Sequence, residues 1–153
     1  MFVACTFVMA VFWSLTGAEP SVEDQAKQDA KQLQGFWEYV SAEEDGQEML
    51  QKHSRIHAKI EFRDGNLIRH IPRFGEIIIL NYTFKLETSS SPRLIDFTQD
   101  DKRLNGHTFE GIYEINGDQL KLCYHLTPDG KKRPTEFVGK DGNVLIIFKR
   151  VKP

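Results

Sequence analysis

The chain has 153 residues, with 20 Lys and Arg against 22 Asp and Glu and a formal net charge of -2. That is the length of one domain able to close a single sizeable core. The near-neutral balance excludes the electrostatic footprint of a nucleic-acid or anionic-membrane binder.

Residues 2–15, FVACTFVMAVFWSL, carry no charged group and run into TGAEP, where Thr16 and Ala18 occupy the small-residue positions of a signal-peptidase site. We read residues 1–18 as a signal peptide, which places the mature chain outside the cytoplasm, periplasmic or secreted, without stable membrane insertion after cleavage. The apolar run is shorter than the roughly 20 residues a span requires. An uncleaved anchor is the alternative, since no Lys or Arg precedes the run. Cys5 leaves with the leader and no lipobox-like sequence precedes it. Cys123, in LKLCYHL, is then the single thiol, without a disulfide partner and read as buried and inert.

Residues 19–34 form the expected N-terminal helix. Ser21 with Asp24 three residues later is a capping-box pattern, and Val22, Ala26, Ala30 and Leu33 recur at helical spacing. The stripe is thin, so the helix is expected to dock weakly. Gly35 supplies the stop.

From Gly35 to residue 153 the apolar period changes from 3.6 to 2. Strands are expected near 36–42, 57–63, 67–72, 77–87, 93–98, 107–115, 119–126, 134–138 and 143–150, with a short helix within DGQEMLQKHSRI (45–56). RDGN (63–66), NGDQ (116–119) and KDGN (140–143) are hairpin signals, which makes neighbouring strands antiparallel. In the middle hairpin, opposing Ile115 with Leu120 sets Glu114 against Lys121 and Glu110 against His125. One apolar face per strand leaves a closed barrel or a sandwich. Consecutive tight hairpins favour the all-β, antiparallel up-and-down barrel of about eight strands, because closure removes unpaired edges.

Gly-x-Trp on the first strand, GFW at 35–37, with a basic residue on the last, FKRVKP containing Arg150, resembles the lipocalin pattern. LQGFWEYVSAEEDGQEM, GIYEINGDQLKLCY, KKRPTEF and NVLIIFKR further resemble a family of small exported proteins of uncharacterised biochemistry, lipocalin-like in fold and abundant in planctomycete bacteria. The resemblance covers roughly residues 33–150. It implies structural roles for Trp37 and Arg150, with the cation stacked on the indole, and brings no catalytic residues.

An eight-stranded barrel is just wide enough to be filled by its own side chains or to hold one small ligand. The inward lining would include Ile78, Leu80, Tyr82, Phe84 and Leu86, with Phe109, Tyr113, Leu122 and Tyr124 from later strands. If Asp64 and Gly65 form a two-residue turn, Ile60 opposes Arg69 and Arg69 points inward; a three-residue turn would send His70 there. A buried cation needs a partner: a ligand carboxylate or phosphate, a protein acid, or solvent reached by snorkelling. The candidate ligand-binding residues are therefore Arg69, Tyr82, Phe84, Tyr113 and Tyr124. His53 and His57 lack an evident third metal ligand. His107 and His125 with Glu110 read as a solvated cluster, and GKKRP (130–134) as a solubilising loop. No nucleophile elbow, phosphate loop or zinc-protease motif occurs. An enzyme using Glu110, His125 or Arg69 would need groups that this register does not place on one face. The sequence thus points to a non-catalytic, cofactor-free and metal-free barrel binding a small, mostly apolar or lipid-like ligand. A solid-cored interaction or inhibitory module of the cell envelope, using hairpin tips such as TPDGKKRP, is the alternative; its protein partner is not legible.

Overall fold

The computed structural model describes residues 21–49, 58–100, 106–130 and 132–152. The expected signal peptide with Cys5, the His53–His57 pair and positions 50–56 of the expected short helix lie outside these residues.

Helix α1 spans Val22–Leu33. Ser21 caps it: its hydroxyl accepts from the Asp24 backbone N–H at 3.1 Å and donates to the Asp24 carboxylate at 2.7 Å. Those contacts satisfy an N–H that has no partner within the helix. Gly35, at φ 103°, turns the chain directly into the sheet.

Nine strands follow among the described residues: β1 Gly35–Glu44, β2 Gln47–Glu48, β3 Lys59–Arg63, β4 Asn66–Arg73, β5 Glu76–Glu87, β6 Arg93–Gln99, β7 Thr108–Asn116, β8 Gln119–His125 and β9 Asn143–Arg150. β2 is a two-residue appendage on β1. The other eight run as an antiparallel meander from β1 through β3 to β9, and β9 pairs back onto β1. The fold is a closed, lipocalin-like up-and-down barrel with one short helix. Closure leaves the meander without a free outer strand.

Register follows the turns. Asp64 and Gly65, both at positive φ, join β3 to β4 in two residues, which sets Phe62 against Leu67 and Ile60 against Arg69. Gly117 opens the β7–β8 turn, and Glu114 meets Lys121 with the two side chains 2.9 Å apart. The expected Glu110–His125 pairing does not form, because the β7–β8 ladder ends at Gly111 and Tyr124. Glu110 instead faces Asp96 on β6, and His125 faces Asn143 on β9.

Two further expectations fail for identifiable reasons. Asp45 and Gly46, at φ 50° and 72°, make a tight hairpin between β1 and β2 where a helix was expected to begin. Residues 134–138 are not a strand, because β8 already pairs with β9 from Gln119 to His125 and leaves no gap in the sheet. The segment instead crosses the outside of the barrel, covering β7 and β8. Phe137 lies under Lys121, and the Cys123 thiol donates to the Val138 carbonyl at 3.6 Å. Cys123 and its cross-strand neighbour Ile112 are fully buried although both are on the outer face. Gly139 makes the crossing possible, since a Cβ there would sit 2.2 Å from the Glu43 carbonyl oxygen.

Arg133, within the expected solubilising loop, anchors the same crossing. Its guanidinium donates to the Gly111 carbonyl at 2.7 Å and to Asp96 at 2.6 Å.

Candidate ligand site inside the barrel

The inward positions alternate along every strand, with one adjustment. An irregularity in β1 between Tyr39 and Ser41 shifts the alternation, so Trp37, Tyr39 and Ala42 are the residues that turn toward the core. The core combines these with Ile60, Phe62, Leu67, Tyr82, Ile95, Phe97, Tyr113, Leu120, Leu122, Tyr124, Ile146 and Phe148.

At the end capped by α1, Trp37 is fully buried. Its indole N–H donates to the Leu33 carbonyl at 2.7 Å, satisfying the indole donor and one carbonyl at the helix C-terminus together. Arg150 stacks over the indole at 4.1 Å and donates to the Gln34 carbonyl at 2.9 Å and to the Gln32 carbonyl. One guanidinium thus closes the seam between first strand, last strand and helix.

Asp29, which the sequence reading did not single out, docks the helix. Its carboxylate is fully buried and accepts from the Tyr113 hydroxyl at 2.6 Å, Arg93 at 2.7 Å and Gln25 at 2.8 Å. Burial, followed by the Asp29 hydrogen bond, pushes the Tyr113 pKa far above the ordinary phenol range. Tyr113 is therefore committed to the capped end. Phe84 packs edge-on against Phe62, with ring centroids 5.2 Å apart.

The remaining candidates converge. Arg69 points into the barrel, where it meets Tyr39, Tyr82 and Tyr124. Its Nε is buried without a hydrogen-bond partner. Among the described residues no carboxylate forms an ion pair with it. The rings of Tyr82, Phe97, Phe109 and Tyr124 pack beside this group, Phe97 and Tyr124 edge to face at 4.9 Å and Phe97 stacked on Phe109 at 5.3 Å. A void of about 10 Å³ remains, bordered by Arg69, Tyr39, Tyr124 and Phe97 among others. That is room for about one water molecule.

Arg69, Tyr82 and Tyr124 are thus brought together; Phe84 and Tyr113 lie apart from them. Tyr39 completes the cluster and was missed, although its place two residues after Trp37 puts it on the inward side of the same strand. A larger, open cleft of about 430 Å³ lies outside, between Ser91–Arg93, Tyr113–Ile115, Thr135 and Phe137. Arg93 and Tyr113, which border it, are both engaged by Asp29.

Other polar groups are tied into loops. Asp129 accepts from His107 at 2.6 Å and from the Thr108 backbone N–H at 3.0 Å, and these contacts, the His107 one first, hold its carboxyl below the usual range. His125 contacts the Thr127 backbone, so it does not join His107. Among the described residues, no three His, Cys, Asp or Glu side chains gather as metal ligands, and no helix is long and apolar enough to cross a membrane. No family model, curated protein or solved structure matches the chain, and the site stands on its own geometry.

Proposed function

We propose that this chain is a non-catalytic binding barrel, acting outside the cytoplasm, that takes a small, mostly apolar molecule carrying one anionic group. The observation that carries the reading is Arg69: a guanidinium aimed among aromatic rings, its Nε shielded and unpaired, with no carboxylate beside it among the described residues. A cation so placed costs several kcal/mol unless a counter-charge accompanies it. A ligand carboxylate would supply that charge and bidentate hydrogen bonds together. The Tyr39 and Tyr124 rings must then move, because the present void admits only a water-sized group.

The test is a thermal-shift series of straight-chain carboxylates and the matching alcohols, on the wild type and on Arg69→Met. Binding to the native state alone raises the melting temperature by mass action. Carboxylates are expected to stabilise the wild type, alcohols to do so far less, and the difference to vanish in Arg69→Met. No carboxylate-dependent shift in the wild type would refute the reading. The small void favours a second reading, a solid barrel that acts through its surface, and that negative result would support it.

A further inference from the structure

We propose that two copies of this chain associate through β5, edge to edge and antiparallel, about a two-fold axis at Ile78. The inference rests on the outer rim of the barrel and is independent of the ligand reading.

Among the described residues, β3 pairs with β4 only as far as His70, and β6 pairs with β5 only from Tyr82 onward. The last contact on that side among the described residues is the Asp100 N–H donating to the Asn81 carbonyl at 2.9 Å. Residues 71–80 thus form a two-stranded ribbon, joined at the two-residue turn of Phe74 and Gly75, whose outer edges no described residue pairs with.

The two edges of this ribbon are treated differently. Arg73 and Glu76 flank the two-residue turn as a hydrogen-bonded pair, so by antiparallel alternation residues 76, 78 and 80 direct their backbone groups to β4. Ile77 and Ile79 then direct theirs to the free side, in phase with the Asn81 carbonyl that Asp100 already uses. On β4, the residue whose N–H would face the opposite free side is Pro72, which has none. The β4 edge is thereby blunted. The β5 edge, EIIIL, has neither a proline nor a charge between Glu76 and Leu80, the composition that invites another strand.

The β5 edge is also complementary to itself. Antiparallel pairing about Ile78 sets Ile77 of one copy against Ile79 of the other, twice. These are the residues with outward-facing backbone groups, so four N–H···O=C bonds form without disturbing β4. Ile77 and Ile79 are 65% and 55% exposed in the single chain and share the outer face of the ribbon. Pairing places each beside its counterpart in a cross-strand contact. The result is an isologous interface of the kind that closes at two copies. Only five residues per chain take part, so the dimer is a weak one that forms with rising concentration.

Sedimentation velocity across a concentration series, up to about 1 mM, tests the register as well as the association. The wild type is expected to shift from one chain to two. The Ile77→Lys/Ile79→Lys variant sets like charges opposite each other and is expected to stay monomeric. Ile77→Lys/Ile79→Glu sets Lys against Glu at both positions and is expected to recover the dimer. Both positions are exposed, and melting curves establish that each variant keeps the barrel. A wild type monomeric throughout would overturn self-pairing and direct attention to an extended segment of another protein on the same edge. A Lys/Lys variant that dimerises like the wild type, or a Lys/Glu variant that stays monomeric, would overturn the β5 register.

Discussion

Replacing Asp29 with Ala should undock the helix, and the cost can be worked from its three partners. Tyr113, 1% exposed, would keep a buried hydroxyl with no acceptor, at about 1–3 kcal/mol. Arg93, whose side chain is 38% exposed, would recover water in place of the carboxylate and add about 1 kcal/mol. Gln25 sits near solvent and adds little. The total is about 2–4 kcal/mol, at or below the 3–5 kcal/mol seen when a fully buried pair is broken. For a chain of this size that is a fall in Tm of roughly 4–16 °C. Urea unfolding followed by Trp37 fluorescence gives the free energy directly. A double-mutant cycle with Tyr113→Phe should show coupling of about 1–2 kcal/mol, because the second truncation removes the group that the first leaves unpaired. An Asp29→Ala variant within about 0.5 kcal/mol of wild type would refute the docking role, as would strictly additive effects in the cycle.

Phe74 adopts φ 51° and is 94% exposed, so Phe74→Asn should stabilise the protein by about 1 kcal/mol through relief of backbone strain; destabilisation in urea titrations would show that its contact with Arg73 outweighs the strain. Arg150→Lys removes the planar fork that both stacks on Trp37 and reaches two helix-end carbonyls, and should cost about 1–2 kcal/mol with a change in indole emission; unchanged unfolding would count against the seam. Burial pushes the Cys123 thiol up to about 11 from an ordinary value near 9. The native thiol should resist a thiol reagent at neutral pH and react fully after unfolding. Its sign follows from linkage: between those two values the unfolded chain has released the proton that the folded chain retains, so this group's contribution to stability declines as pH rises through that window. Modification of the native protein at neutral pH at the rate seen after unfolding would contradict the burial.

The barrel was legible because period-2 alternation and Asp-Gly or Asn-Gly turns act locally. The same logic also misled. KDGN is a real turn, closed by the Asn143 N–H on the Lys140 carbonyl, but it leads into β9 from an irregular crossing, and the presence of a partner strand is a property of the whole sheet. Arg-Phe-Gly-Glu at 73–76 makes a hairpin with a residue type that resists positive φ, so no local signal announced it. Arg69 was placed inward by counting turn residues, and its neighbour Tyr39 follows by alternation from Trp37, whereas the inward turn of Ala42 depends on a β1 irregularity that alternation alone does not foresee. Asp29 reads on the helix as an ordinary solvent-facing acid. Only the arrival of Tyr113 and Arg93, 84 and 64 residues later, makes it a buried one.

Pairing of the first long strand with the last also governs the order in which the molecule can assemble. Trp37 meets Arg150 across β1 and β9, so the ring cannot shut until Arg150 has left the ribosome. Until then β1 carries an open edge, and the intermediate hairpins, all local in sequence, have time to form first. Such closure is a non-local event of the kind that slows folding. Of the two tryptophans, Trp13 lies in the apolar N-terminal run and Trp37 at this seam. In a variant begun at Glu19, a single indole would therefore report the final step of folding, the moment when Arg150 settles over it.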